Sequence, residues 1–163
     1  MKNFLCFAMI PVFVFFTRCA SRAGEEKKYE IKAQGLGEIM TKQASACVSQ
    51  SKAYAAVWEY AKVTGIDFKT AAAEMLTDET RYNISMMKEN KTKIENLLSE
   101  LENPPPQHAK SFQILEEIYD IYQKLHTLAL NPMDDMEKHN ASVNKLSLAL
   151  MEKKKELDAI FLY

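Results

Sequence analysis

Apolar residues recur at helical spacing along most of the chain. The clearest early stripe lies within residues 51–64 and consists of Ala53, Val57, Trp58 and Ala61. Gly65 follows it, where a glycine typically ends a helix. Residues 38–48 predict a shorter helix before it. Strand-like alternation at period two does not extend over any useful length, so the pattern predicts an all-α protein.

A long helical stretch is predicted from residue 68 to about residue 101. Asp67 stands at the N-cap position, and Thr77–Asp78 reads as a second cap at which the stretch can break into two helices. The apolar register of its later part is Ile84, Met87, Ile94, Leu98 and Leu101. One long helix or two shorter ones therefore precede the prolines that follow.

Prolines and aspartates divide the rest of the chain. Three consecutive prolines at residues 104–106 end the preceding helix, and Asn131–Pro132 ends the next one. Asp134 or Asp135 can begin the last helix. The apolar face within residues 107–130 is Phe112, Leu115, Ile118, Tyr119, Tyr122, Leu125 and Leu128. The final stripe is Val143, Leu146, Leu150, Leu157, Ile160 and Phe161.

Short connections between amphipathic helices favour antiparallel packing of neighbours. We therefore expect an antiparallel bundle of about four to five helices, forming a single domain over residues 24–163. About 140 residues can bury roughly two thirds of their unfolded surface without disulfides.

The first 23 residues have the pattern of a signal peptide. Lys2 is positively charged, residues 4–16 are almost wholly apolar, and residues 17–23 are small or polar and end in Ser21-x-Ala23. About thirteen apolar residues are too few to span a bilayer, which takes roughly twenty. We expect cleavage near residue 23, an extracellular product and no permanent membrane insertion. A retained anchor and lipidation of Cys19 are the alternatives, although Arg18 disfavours the latter.

Charge and cysteine content narrow the class of protein. Loss of the three basic residues of the signal segment leaves 18 of 21 basic residues against 22 acidic ones. This mildly acidic balance lacks the concentrated positive charge of nucleic-acid-binding proteins. Cys47 is the one cysteine after residue 23, so the secreted domain has no internal disulfide. We expect a small buried side chain there, with an intermolecular bridge or a reactive thiol as alternatives.

Catalytic motifs are missing from the sequence. His108, His126 and His139 are not spaced as metal ligands, and no phosphate loop, nucleophile elbow or acid–base pair is recognisable. Asp135 and His139 would share a helix face and are expected to lie on the surface. The sequence therefore predicts a protein that is not an enzyme.

A short acidic segment is the candidate metal site. Asp134, Asp135 and Glu137 follow Asn131 within seven residues, and hard cations such as Mg²⁺ or Ca²⁺ prefer such oxygen ligands. The segment lacks the spacing and central glycine of an EF-hand. Acidic residues in a first helical turn also stabilise the helix dipole, which is the alternative interpretation. No other cofactor is expected.

Three sequons lie beyond the signal segment. Asn83, Asn90 and Asn140 each precede a residue and then Ser or Thr. With the signal segment they indicate a glycoprotein, with plain polar surface as the alternative. Asn83 and Asn90 are two helical turns apart and should face the same way.

Nine methionines and several tyrosines predict an adaptable apolar interior. Such an interior is compatible with an ordinary core or with a bundle that opens around an acyl chain.

The order of segments resembles the nematode SXP/RAL family of secreted antigens. The resemblance covers about residues 50–162, through VWEYAKVTGIDF, IENLLSELENPP, LALNPMDDME and KKKELDAIF. It includes Trp58 followed closely by Ala61, and Glu156-Leu157 before an apolar end. The segment from Asn131 to Glu137 lacks the Leu-Thr of the family's Asn-x-x-Leu-Thr-x-x-Glu turn.

The resemblance implies a helical, non-enzymatic protein secreted by or coating the worm. An Anisakis allergen of this kind is described as cation-binding, which by position would implicate Asp134, Asp135 and Glu137. We therefore expect a secreted protein that binds a divalent cation or a host or matrix partner. The alternatives are a carrier of a small apolar ligand and a surface-anchored structural protein.

Overall fold

The computed structural model describes the backbone of residues 11–162 and the side chains of residues 24–162. The predicted signal segment, residues 1–23, lies outside the residues whose side chains are described. All regular structure in the described part is helical, which confirms the all-α prediction. The elements are α1 (Pro11–Thr64), α2 (Phe68–Met75), α3 (Asp78–Ser99), a 3-10 turn (Pro106–His108), α4 (Ala109–Leu130) and α5 (Met136–Phe161).

Helix α1 is continuous, and the prediction of two short helical pieces before Gly65 was wrong. Gly35 and Gly37 do not interrupt it, and at Gly37 the side chain of Leu157 on α5 occupies the space that a Cβ would need. The hydroxyls of Thr41, Ser45 and Ser49 each donate to the carbonyl oxygen four residues earlier. These side chains therefore satisfy their hydrogen bonds within the helix and do not compete with it.

The helix ends follow the predicted local signals. Gly65 has a φ of 73°, a conformation that glycine adopts without strain, and it ends α1. Asp67 accepts a hydrogen bond from the Thr70 amide and caps α2. Thr77 caps α3 in the same way, which confirms the break at Thr77–Asp78. The cap of α5 is Asp135, not Asp134.

Helices α1 and α4 run in the same direction. The Tyr29 ring stacks on His108 just before α4, with ring centroids 5.2 Å apart. This contact places the start of α4 beside Tyr29 of α1. Towards the other end, the Tyr54 hydroxyl donates to the carbonyl oxygen of Ala129 at 2.8 Å.

Helices α3 and α5 run opposite to them. Lys32 Nζ lies 2.8 Å from Glu100 Oε2, while Gln43 further along α1 bonds to Asn90 nearer the start of α3. Helix α5 places its beginning beside the end of α1 and its end beside residues 29–37. The helices α3, α4 and α5 thus alternate in direction, as the short connections predict.

The main core lies where α1, α4 and α5 meet, and α3 packs on its side. Its fully buried large side chains include Met40, Ile94, Leu115, Ile118, Tyr122, Leu125 and Leu157. Cys47 is 1% exposed and is not disulfide-bonded, which confirms the prediction of a small buried side chain.

A second, smaller core closes the end of α1 against α2. Tyr54, Val57 and Trp58 pack there, with Phe68 tilted on the Trp58 ring at 4.9 Å between centroids. Ala53, which the helical stripe predicted to be buried, is exposed. The buried face of α1 is rotated by about one residue, because it must meet both the main core and α2.

Candidate functional site

A polar stripe runs along the face of α4 that meets α1 and α3. Tyr119, Tyr122 and His126 are spaced by three and four residues, so they share one helix face. Tyr122 is 0% exposed and His126 is 6% exposed. Their rings lie 5.9 Å apart between centroids. Two polar rings thus lie side by side in the buried interior of the bundle.

Two polar atoms of this stripe are buried without a hydrogen-bond partner. They are Tyr122 Oη and His126 Nε2. A neutral imidazole carries one N–H donor and one acceptor nitrogen, and the backbone of Met87 lies near the His126 ring. Each unpartnered buried group costs roughly 1–3 kcal/mol of stability, so such groups commonly have a functional reason.

The buried groups at this site are uncharged at neutral pH. Burial lowers the pKa of His126, and burial raises the pKa of Tyr122. Burial also raises the pKa of the Cys47 thiol, which lies beside Tyr122, to about 12. A thiolate nucleophile or a charged acid–base pair is therefore not formed by these groups near pH 7.

A chain of hydrogen bonds forms the solvent-facing rim of the stripe. Glu95 on α3 accepts from Lys91 at 2.5 Å and from the Tyr119 hydroxyl at 2.7 Å. Gln123 donates to the same hydroxyl. The bonds from Lys91 and then from Tyr119 lower the pKa of Glu95. This rim joins α3 to α4 beside the buried stripe.

An open groove lies between α1 and α3 and has a volume of about 680 Å³. The amides of Gln43, Gln50, Asn83 and Asn90 line it, as do the side chains of Met86 and Met87. Met87 is part of the main core as well as the groove wall. The groove and the main core therefore meet at Met87.

Gln50 adds a further unpartnered group to the groove. The residue is 7% exposed, and its Nε2 atom is buried with no acceptor at hydrogen-bonding distance and angle. The Gln50 side chain interacts with the Tyr54 hydroxyl. The Gln50 amide therefore lies inside the wall of the groove, beside Tyr54.

The residues of the predicted cation site are engaged with the protein. One carboxylate oxygen of Asp135 accepts from the Lys138 amide at 3.0 Å, and the other lies 3.2 Å from Lys138 Nζ. Glu137 lies in the first turn of α5, and Asp134 is exposed just before it. No group of three or more His, Cys, Asp or Glu among the described residues is placed to hold a metal ion.

The predicted surface position of His139 was wrong. The side chain is 0% exposed and lies 5.1 Å from the Trp58 ring between centroids. Its Nδ1 atom accepts a hydrogen bond from the Met133 amide at 3.3 Å. This bond joins the loop before α5 to the helix. Burial lowers its pKa.

The three predicted glycosylation sites differ in their surroundings. Asn83 is exposed at the groove. Asn90 shares that groove, as the two-turn spacing predicts, but it is half-buried and its Nδ2 donates to Gln43 at 3.1 Å. Asn140 is half-buried between α1 and α5.

Comparison with known proteins gives no relative. No model of a protein family, no curated protein and no solved structure matches the chain. Function must therefore be argued from the site itself. Across the part of the chain that the structure describes, we find no helix with an apolar stretch long enough to cross a bilayer.

Sequence reasoning placed Tyr122 on an apolar face and overlooked His126. The available signal was the register of α4, in which position 126 follows Leu125 and precedes Ala129 on the buried side. Gln50 was missed because its burial arises from α3 packing against α1, which no local pattern encodes.

Proposed function

We propose that this protein is a secreted, non-enzymatic carrier of a small apolar ligand that ends in one hydroxyl or uncharged carboxyl group. The ligand binds between α1, α3 and α4, and its polar end meets Tyr122 and His126. A hydroxyl group accepts one hydrogen bond and donates another. It therefore complements a phenol with a hydrogen to donate and an imidazole nitrogen with a free lone pair.

The observation that carries this proposal is the pair of unpartnered atoms, Tyr122 Oη and His126 Nε2, in the buried interior of the bundle. A purely structural core would be more stable with apolar side chains at both positions. Ligand binding gives a reason for their presence, because the ligand supplies the missing partners.

The groove supplies a route to the site. Met87 lies where the groove meets the main core, and Met86 lies beside it on the groove wall. Methionine side chains are unbranched and flexible, so they can change rotamer to admit an apolar chain. The amides along the groove then contact any polar part that remains outside.

Helix α3 can move away from the rest of the bundle at a modest cost in free energy. Only Met87 and Ile94 of its 22 residues are buried. It lies between the break at Thr77 and the prolines at residues 104–106. Segments with few buried apolar contacts are the ones that open most readily.

The other hypotheses receive less support from the geometry. Both carboxylate oxygens of Asp135 are occupied by Lys138, which weakens the case for a cation site there. The raised pKa of the Cys47 thiol argues against a thiolate nucleophile at this site. The signal segment and the sequons support secretion. We include kinship with the SXP/RAL antigens in the same proposal.

Displacement of a dansyl-labelled undecanoic acid tests the proposal. We expect saturable fluorescence enhancement at micromolar protein, and competition by 1-dodecanol that is stronger than competition by dodecane. Tyr122→Phe should weaken 1-dodecanol binding roughly 3- to 10-fold through the loss of one hydrogen bond. Its free energy of unfolding without ligand should stay the same or rise, because an unpartnered hydroxyl has been removed.

Tyr119→Phe is the matched control. The Tyr119 hydroxyl is bonded to Glu95 and Gln123 on the rim, so this variant should lose stability and keep its affinity for 1-dodecanol. Absence of binding by the wild-type protein would refute the carrier function. Equal effects of the two variants on affinity would refute the role of Tyr122.

A further inference from the structure

A second hollow lies on the other side of α1, against α5. Its volume is about 290 Å³, and it is lined by Ser51, Lys52, Ala55, Asn140, Val143 and Asn144. It is separate from the groove at α3, with which it shares no lining residue. Whatever binds here does so independently of the proposed apolar ligand.

Ser51 is the innermost polar residue of this hollow. It is 1% exposed, and its hydroxyl has no hydrogen-bond partner. The hydroxyls of Thr41, Ser45 and Ser49 on the same helix each donate to a carbonyl oxygen one turn earlier. A buried serine could satisfy itself in the same way, so a free hydroxyl at Ser51 indicates a ligand.

Three further donors surround Ser51. Lys52 forms no ion pair with any residue that the structure describes, whereas Lys32 and Lys153 are both paired with glutamates. The amides of Asn140 and Asn144 likewise have no hydrogen-bond partner among the described residues. No acidic side chain lines the hollow, so its one formal charge, that of Lys52, is uncompensated within it.

We propose that this hollow binds a phosphate or sulfate group. Such a group offers several acceptor oxygens and no competing donors when fully ionised. The hollow offers a hydroxyl, an ammonium and two amide NH₂ groups, and all four side chains can donate. Hydrogen bonds from a lysine to an anion are stronger than those between neutral groups. The same chemistry argues against a cation, which the ammonium of Lys52 would repel.

Titration of ¹⁵N-labelled protein with inorganic phosphate at constant ionic strength tests this site. The proposal requires an unmodified Asn140 amide and so excludes a glycan there, and the protein should come from a host that adds no N-linked glycans. We expect saturable shifts of the Asn140 and Asn144 side-chain amide signals at millimolar phosphate. Glycerol 3-phosphate and sulfate form parallel arms, and tighter binding of the former would indicate an organic phosphate as the natural ligand.

Two substitutions separate a specific site from surface attraction. Lys52→Gln should weaken phosphate binding roughly ten-fold or more, since a charged hydrogen bond is lost. Lys62→Gln removes an exposed lysine from the same helix and should leave the affinity unchanged. Ser51→Ala should weaken binding about 3- to 10-fold while the midpoint of chemical unfolding stays constant or rises.

The outcomes against the proposal are equally definite. Absence of saturable amide shifts, or equal weakening by Lys52→Gln and Lys62→Gln, would overturn it. A loss of stability in Ser51→Ala without a change in phosphate affinity would show that Ser51 has a structural role only. None of these results bears on 1-dodecanol binding at α3, so the two proposals fail separately.

Discussion

A Cβ atom added to Gly37 would lie 2.5 Å from Cδ2 of Leu157, closer than two carbon atoms can pack. Leu157 is fully buried and belongs to the last two turns of α5. Glycine at position 37 therefore sets how closely α1 and α5 approach. Gly35, two positions earlier on the same helix, has no atom within 4 Å of a Cβ built on it.

These two glycines give opposite predictions. Gly37→Ala should lower the free energy of unfolding by about 1–3 kcal/mol, because α5 must shift or Leu157 must leave its rotamer. Gly35→Ala should raise it by roughly 0.5–1 kcal/mol, because alanine has the higher helix propensity. Urea denaturation followed by circular dichroism measures both. Equal effects of the two substitutions would contradict the close approach of α1 and α5.

The acidic segment before α5 can be tested for capping and for cation binding at once. In EDTA, Asp135→Ala should lower the midpoint of urea denaturation, because Asp135 caps α5, while Asp134→Ala should change it little. Calorimetric titration with Ca²⁺ and Mg²⁺ then checks the cation hypothesis. Heat that vanishes in both alanine variants would support a site there. No heat at millimolar cation would refute it.

Two buried histidines make stability depend on pH. Burial lowers the pKa of His126 and of His139 below the ordinary value near 6.5 that applies in the unfolded chain. Above about pH 7.5 both states are neutral and stability is constant. As the pH falls below about 7, the unfolded state takes up protons that the folded state does not, so stability decreases.

The decrease in stability with falling pH can be assigned to the individual histidines. Each histidine contributes at most about 1.4 kcal/mol per pH unit between its unfolded and folded pKa values. Urea denaturation between pH 5.5 and 8 should show about half the slope in His126→Gln or His139→Gln, and little slope in the double variant. A full slope in the double variant would assign the effect to other groups.

The reactivity of Cys47 reports on the opening of α3. Burial raises its pKa from 9.0 to about 12, so its thiolate fraction at pH 8 falls by roughly three orders of magnitude. Iodoacetamide, with the modified peptide quantified by mass spectrometry, should label Cys47 much more slowly in native protein than in urea.

A pair of substitutions on α3 tests this interpretation. Ile94→Ala removes a fully buried contact and should speed labelling of Cys47 at least ten-fold, because large-to-small core changes cost about 2–5 kcal/mol. Leu97→Ala, at a position 36% exposed on the same helix, should have little effect. Equal rates in the two variants would mean that α3 does not control access to Cys47.

Local chemistry made the helix ends predictable. Asp67, Thr77 and Asp135 cap helices through contacts within three residues, so the sequence around each of them contains the whole interaction. The all-helical class follows from apolar spacing in the same way. A prediction of this kind does not depend on how the helices are arranged.

Features that depend on contacts between distant segments escaped sequence reasoning. Nothing in the local sequence accounts for Gly37, whereas the approach of Leu157 from α5 does. His139 is buried against Trp58, which lies 81 positions earlier in the chain and whose ring is tilted relative to the imidazole. The free hydroxyl of Ser51 is likewise visible only once α5 is packed beside α1.

The continuous α1 helix bears on how the chain can be processed. Among the residues of α1 whose side chains are described, Tyr29 is the first that contributes to the core, and residues 24, 25, 27 and 28 before it are exposed. A signal peptidase that cut after residue 23 would leave Tyr29 and the later core residues in place. Between such a cut and Tyr29 there remain more than one helical turn of residues, enough to fray at a new terminus while the bundle keeps its contacts.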